Sequence, residues 1–306
     1  MSAPSVVVIG NFDGVHRGHQ AVLAQARRVA DARSLVCTVL TFDPHPAEVL
    51  GRGAPPRLVS LARRTELLRA HGADAVVIEP FTLALAGFSP ERFARDLLGK
   101  RLMARAVVVG ENFRFGHKRA GTMQTLKDLG AELGFEAIAA EVAGDEEGPF
   151  SSTRIRDAIA AGDVARAAIV LGRPHALRGV VERGDQRGRT IGFPTANLGG
   201  VVEMLPAHGV YAVRVEAPGV FAGTREGVMN VGVRPTVDGA SLRIEVHVLD
   251  FEGDLYGAEL SVALVARLRG EQKFSGLDEL RAQIARDVEA ARKALGGETE
   301  PPESDT

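Results

Sequence analysis

The chain contains no tryptophan, two tyrosines and a single cysteine. One cysteine excludes an internal disulfide framework and any zinc site built on cysteine thiolates. That residue, Cys37, sits in the apolar run LVCTVL and reads as a small buried core residue. No stretch approaches the roughly 18 consecutive apolar residues of a membrane-spanning helix. The N-terminus MSAPSVVVIG lacks the charged and long apolar segments of a secretory signal. A cytoplasmic location with no membrane partner is therefore expected. An excess of one charge is missing too: the formal net charge is -2, which gives no electrostatic case for nucleic acid as a partner. Two phosphate-binding signatures are absent. GxGxxG cannot be matched to Gly10, Gly14 and Gly18, no GxxxxGK[ST] occurs, and the stretch from Gly184 to Thr190 only faintly echoes one. No internal repeat is visible.

What is present is a chain of 306 residues with ordinary globular composition, long enough for two domains of roughly 100–200 residues. Up to about residue 172, short aliphatic runs at 6–9, 35–42, 75–79, 106–109 and 136–141 alternate with helical stretches at 20–33, 60–71, 89–100 and 121–134. Continuous apolar runs suit parallel strands covered on both faces, so a doubly wound α/β sheet is expected. Ser89, Pro90 and Glu91 offer a helix start. From 175 to about 268 the chain is rich in Val and Gly, with strand-like stretches at 177–183, 210–216, 228–231, 242–250 and 260–268. These read as a small antiparallel β-barrel. Leu277, Leu280, Ile284, Val288, Ala291 and Leu295 then form one helical stripe expected to face a core. The expected domains are 1–172 and 173–295, followed by a disordered acidic tail, 296–306.

The stretch GNFDGVHRGH, Gly10 to His19, follows the first strand, where open α/β sheets bind ligands. Glycines let backbone approach a phosphate, and a helix starting near His16 or Gly18 points unpaired N–H groups at an anion. His16 and His19 share a face of that first turn and can donate to phosphate oxygens. Asn112, Arg114 and Lys118 follow a later strand and fall at the same sheet edge. Ser151, Ser152 and Thr153 can cap a helix whose first turn carries Arg154 and Arg156, cations that oppose the helix dipole and suit an anionic ligand such as a triphosphate. Asp43 and His45 read equally well as site or as loop structure. In the second part, Thr195 and Asn197 lie two apart in GRTIGFPTANL (188–198), and their neutral oxygens suit Mg²⁺ carried by nucleotide phosphates. Glu245 alternates with Ile244 and Val246, and spacing alone makes it a solvent-facing strand residue.

GNFDGVHRGH resembles the HxGH signature of the nucleotidylyltransferase superfamily, in the form found at the start of prokaryotic bifunctional riboflavin kinase/FAD synthetases. TFDPHP (41–46), VGENFRFGHKRAG (109–121) and SSTRIR (151–156) are similar to the same family. So are the stretch from Gly179 through PTANL, GVYAV (209–213), MNVGVRPT (229–236), the EVHVLDF strand and ARLRGEQKF (266–274). His175 departs from the pattern, standing where tyrosine is common.

The resemblance implies a first domain that transfers AMP from ATP to FMN. It implies that Gly10, Asn11, Phe12, His16, Gly18 and His19, with Ser152, Thr153, Arg154 and Arg156, bind ATP, and that Asn112, Arg114 and Lys118 bind FMN. His16 and His19 are then catalytic phosphate contacts, not bases or metal ligands. In a riboflavin kinase barrel, Gly188, Arg189, Gly192, Pro194, Thr195 and Asn197 bind ATP, Thr195 and Asn197 hold Mg²⁺, Arg269 meets the flavin, and Glu245 is the base. Riboflavin, FMN and ATP are the expected small-molecule partners, and the chain is expected to be a monomer or weak homo-oligomer. With two tyrosines and no tryptophan, flavin stacking falls to Phe or aliphatic side chains.

The two reactions demand different residues. A ribityl hydroxyl is not ionised near pH 7 and benefits from a carboxylate base, whereas the FMN phosphate, with a second pKa near 6, needs none. A non-catalytic flavin- or nucleotide-binding regulator, or an enzyme with one dead module, has no need of both sets. A generic cytidylyltransferase leaves PTAN and EVHVLDF unexplained.

Overall fold

The computed structural model describes residues 3–184, 192–236 and 239–296, and the chain divides into two compact units, Met1–Ser152 and Thr153–Thr306. The first unit holds five parallel strands, β1 (Ser5–Ile9), β2 (Val36–Asp43), β3 (Ala75–Pro80), β4 (Ala104–Gly110) and β5 (Glu136–Ala140), in the order β3-β2-β1-β4-β5. Its helices are α1 (Arg17–Ala32), α2 (Pro46–Val49), α3 (Leu61–Ala70), α4 (Leu83–Ala86), α5 (Pro90–Arg92), which passes directly into a π-helical stretch at Phe93–Arg101, and α6 (Met123–Leu133). A two-residue ribbon, β6 (Gly144–Asp145) with β7 (Gly148–Pro149), precedes Ser152.

Strand β1 is buried at every residue. Val6 and Val8 pack with Leu23 and Ala26 of α1 on one face, and Val7 and Ile9 pack with Leu97, Leu98 and Leu126 on the other. Two covered faces require apolar residues at both parities, so the run carries no alternation. Ser89 caps α5 as expected, its Oγ accepting from Arg92 N at 3.2 Å. The strand order reverses between β1 and β4, and the carboxyl ends beside such a reversal are where these sheets take ligands. The segments after β1 and β4 are Gly10–His19 and the loop with Asn112.

The second unit begins with α7 (Ser152–Ala161), assigned to it from Thr153 onward, and α8 (Val164–Leu171). A closed antiparallel barrel follows, from β8 (Ala176–Glu182), β9 (Ala196–Gly199), β10 (Gly209–Glu216), β11 (Arg225–Thr236), β12 (Gly239–Val248) and β13 (Glu259–Arg269), in the order β10-β11-β12-β9-β8-β13. The division falls earlier than the change in sequence texture at residue 172, because Val164 is part of the barrel core and Ala207 N donates to Ile159 O at 3.2 Å. Texture reports local periodicity, not the core on which a helix rests.

A closing helix, Leu277–Gly296, ends the described chain. Its stripe faces a core only in the second half: Ala291 and Leu295 are buried against Val210, Ala212 and Val228, whereas Leu277 is 66 % exposed. Period fixes which residues share a face, not how far the barrel beneath extends. Among the described residues no helix is long and apolar enough to cross a membrane. Gly188, Arg189 and the tail from 297 onward lie outside the described residues.

Cys37 is fully buried in the first core, and burial raises its thiol pKa to about 11. Because the thiolate is the reactive form, Cys37 is expected to resist a thiol-exchange reagent at pH 8 in the native protein and to react once the chain is unfolded. Rapid native-state labelling, read by absorbance, would contradict the packing.

Candidate active sites

Gly10–His19 turns sharply out of β1. Phe12 (φ 50°) and Val15 (φ 42°) both take the left-handed conformation, although Val15 is β-branched. Such positions cost about 1–3 kcal/mol each and persist only where the surroundings over-determine them. Here both side chains are buried in the core. The Asp13 carboxylate, also buried, accepts from Leu58 N at 3.0 and 3.2 Å. The Asp13 carbonyl accepts from Ser152 Oγ at 2.9 Å. The Asn11 carbonyl accepts from Arg64 Nη1 (2.8 Å) and Thr41 Oγ1 (3.2 Å).

His16 is the N-cap of α1, its Nδ1 accepting from His19 N at 3.4 Å, which leaves the proton on Nε2. The two imidazoles stack at 3.6 Å between centroids and 24° between planes, and His19 meets Phe12 edge-on at 5.1 Å. A Cβ on Gly18 would lie 3.0–3.1 Å from the His16 ring and the Phe150 carbonyl, a tight fit that any other residue would relieve only by shifting these neighbours. Burial, with the His16 imidazole as a second cause, holds the His19 pKa well below 6.5. His19 is therefore neutral near pH 7, and any help it gives a phosphate is hydrogen-bond donation, not full charge.

Beside the turn lies a cavity of about 640 Å³. Asn112, Arg114 and Lys118 all line it, as do Gly10, Asn11 and His45. Its apolar wall includes Phe42, Phe81, Phe113 and Phe115: Phe113 and Phe115 stack at 5.6 Å and 12°, and Phe42 meets Phe81 edge-on at 5.7 Å. Sequence motifs pointed to the polar members. The wall has no motif of its own: Phe42 falls in TFDPHP and Phe113 and Phe115 in VGENFRFGHKRAG, where the polar residues carried the reading, and Phe81 lies outside both. Lys118 (φ 51°) and Arg119 (φ 61°) are again left-handed, in a short turn on the rim. His45 proves to be both loop structure and cavity wall: Nδ1 caps α2 by accepting from Ala47 N, and Nε2 faces the Asn11 amide. Asp43 lies 3.5 Å from Arg57 and 3.7 Å from Arg64. Thr153, Arg154 and Arg156 follow on α7, within the second unit.

In the barrel, strand register sets the site. Glu245 pairs directly with Asn230 on one side and Asn197 on the other, and Asn197 pairs with Glu182. Cross-strand partners share a face with Cβ atoms about 4.5–5.5 Å apart, so the carboxylate stands between two amides. The intervening Ala196 and Val246 are buried in the barrel core. Gly184 abuts the Asn197 amide, which a Cβ there would displace. Thr195 and Pro194 instead line a cavity of about 320 Å³, with Phe251, Asp254 and Tyr256. Asn197 is not in that lining, although its neighbour Ala196 on β9 is. Gly192 is exposed in the same loop. His247 Nδ1 donates to the Pro194 carbonyl at 2.7 Å and its ring meets Phe193 edge-on, a clamp on the loop that motif reading missed.

Arg269, expected to meet a flavin, is engaged by Asp287: Nε and Nη2 take both carboxylate oxygens at 2.8–3.1 Å. That pairing explains why Asp287 is buried on a helix otherwise apolar at its contact. His175 is buried, with Nε2 donating to Met204 O at 2.8 Å, a structural bond that accounts for a polar ring at this position.

The depressed His19 pKa has a stability consequence. A histidine held neutral in the fold binds fewer protons than its unfolded counterpart, so stability present above the unfolded pKa of 6.5 is lost as pH falls below it. An NMR titration should place the His19 midpoint well below 6.5; a midpoint at or above 6.5 would overturn the neutral assignment.

A family model described as FAD synthetase matches residues 1–154, and one described as riboflavin kinase matches 171–295. The bifunctional riboflavin kinase/FMN adenylyltransferase of Escherichia coli (strain K12) is 42% identical over 292 residues, covering 95% of this chain and 93% of that protein. Its namesake from Bacillus subtilis (strain 168) is 37% identical over 297 residues, covering 94% and 92%. A solved structure from Streptococcus pneumoniae, described as a macrolide-efflux protein, superposes with a TM-score of 0.87 at 34% identity and covers 95% of both chains. With both models matched in order and this identity along nearly its whole length, the chain belongs to the bifunctional riboflavin kinase/FMN adenylyltransferase family.

Proposed function

We propose that the barrel phosphorylates riboflavin with ATP to FMN and ADP, and that the first unit adenylylates FMN with ATP to FAD and pyrophosphate. The observation that carries this reading is the contrast between the two sites: a stacked imidazole pair on a phosphate turn beside an aromatic cavity, and a carboxylate between two amides on a barrel whose neighbouring cavity is lined by Pro194 and Thr195.

In the first unit the flat isoalloxazine ring occupies the aromatic cavity, with Asn112, Arg114 and Lys118 around it. An oxygen of the FMN phosphate attacks the α-phosphorus of ATP, and the bond to the bridging oxygen of the β-phosphate breaks. The nucleophile is already anionic, so the site needs donors for the charge that spreads over the α-phosphoryl oxygens. His16, His19 and the N-terminal amides of α1 supply them. Gly10, Asn11, Phe12 and Gly18 shape the turn, and the family resemblance adds Ser152, Thr153, Arg154 and Arg156 to the ATP-binding residues.

In the barrel a ribityl hydroxyl attacks the γ-phosphorus and its proton passes to Glu245, while ADP leaves. Asn230 and Asn197 flank the carboxylate and orient it. Pro194, Thr195 and Gly192 contact the nucleotide, with Gly188 and Arg189 beside them in sequence. The Arg269–Asp287 pair fixes the end of β13 near the flavin. Thr195 and Asn197 offer hard, neutral oxygen donors of the kind Mg²⁺ accepts. Among the described residues no group of three or more His, Cys, Asp or Glu side chains is arranged to hold a metal alone, which fits an ion that arrives on nucleotide phosphates. When bound, it neutralises phosphate charge.

Incubation with riboflavin, ATP and Mg²⁺ should yield FMN and then FAD on chromatography. Glu245→Gln is expected to slow FMN formation about 10²–10⁴-fold while leaving FAD formation from added FMN. His19→Ala should slow FAD formation about 10²–10³-fold and spare FMN formation. A regulator without catalysis would yield neither product, and an enzyme with one dead module only one; either result would sink the bifunctional reading.

A further inference from the structure

The Asn11 side chain lies where the phosphate turn joins the aromatic cavity: of the turn, only Gly10 and Asn11 appear in the cavity wall. Its amide nitrogen position is 3.1 Å from His45 Nε2. His45 Nδ1 accepts from Ala47 N at 3.1 Å, so a neutral His45 carries its proton on Nε2. Two donors cannot face one another at this distance, and amide oxygen and nitrogen are interchangeable by shape. The network closes only with Asn11 Oδ1 accepting from His45 Nε2–H. The NH₂ group then occupies the other end of the amide, which has no hydrogen-bond partner among the described residues. The backbone beneath is fixed independently, since the Asn11 carbonyl is held by Arg64 and Thr41.

We propose that His45 is a positioning residue that turns the Asn11 amide, and that Asn11 NH₂ donates to the phosphate of the incoming FMN and orients it for attack. This rests on the adenylylation reading above. The ring-sized, aromatic cavity takes the flavin, so the FMN phosphate reaches the turn at the joint that Asn11 occupies. The nucleotide triphosphate belongs to His16, His19 and the start of α1, so the Asn11 donor separates FMN from ATP.

The test is steady-state FAD synthesis by the full chain, varying FMN and ATP separately. Asn11→Ala and Asn11→Asp should each raise KM for FMN tenfold or more, with KM for ATP within twofold of wild type and riboflavin phosphorylation by the same preparation unchanged. His45→Ala should move KM for FMN in the same direction by a smaller factor, and His45→Gln, which keeps an N–H, should recover part of it. Wild-type synthesis of FMN without FAD overturns the adenylylation reading and this one with it. Wild-type FAD synthesis with an unchanged KM for FMN in Asn11→Ala, or a rise in KM for ATP instead, overturns only the Asn11 assignment. A wild-type KM for FMN in His45→Ala overturns the positioning role of His45.

Discussion

Arg64 lies buried beneath the Gly10–His19 turn, and its guanidinium ties together the ends of β1 and β2: Nη1 donates to Asn11 O at 2.8 Å and Nη2 to Phe42 O at 3.4 Å. Burial lowers its pKa, and the nearby carboxylates of Asp13 and Asp43 oppose that effect. Removing one partner of a buried charge network typically costs about 3–5 kcal/mol, which is of the same order as the strain held at Phe12 and Val15 together. The left-handed residues, the stacked imidazoles and the aim of Asn11 all hang on strand ends that Arg64 keeps in register. A turn free to relax would meet a phosphate only after reorganising, and preorganised donors are what such a site contributes.

The barrel reaches preorganisation by another route. Glu245 owes its neighbours to pairing across β11, β12 and β9. A slip of one residue would send the carboxylate into the core and Val246 to the outer face. The core prevents this: Ile244, Val246 and Val248 are buried among Met229, Val231 and Ala196. Hydrophobic packing thus sets the position of a polar side chain that takes no part in it. The two units place their chemistry differently, one on a strained turn at strand ends and one on a row across strand middles, in keeping with a reaction that needs donors and a reaction that needs a base.

Much of this was legible in the sequence, and the limits have physical causes. The run VVVI announced a covered parallel strand, and alternation around Glu245 announced a half-exposed one, because those periods follow directly from strand geometry. Glu245 could not be told from an ordinary surface residue by spacing, since its distinction is Asn230 and Asn197 on neighbouring strands. Arg64 was invisible, because its hydrogen bonds go to backbone carbonyls, which leave no mark on residue identity. Leu277 misled, since it keeps helical phase with Ala291 but extends past the barrel. Arg269 matched a family motif, yet its immediate partner, Asp287, lies on the closing helix one residue before Val288 of the apolar stripe, where spacing marks no partner.

The central claim is that two chemically distinct sites on one chain perform successive steps. The most direct measurement mixes Glu245→Gln and His19→Ala chains in equal amounts and follows FAD formation from riboflavin. Neither variant alone should convert riboflavin to FAD at an appreciable rate, and the mixture should do so. FAD from either variant alone at the wild-type rate, or none from the mixture, would contradict the account.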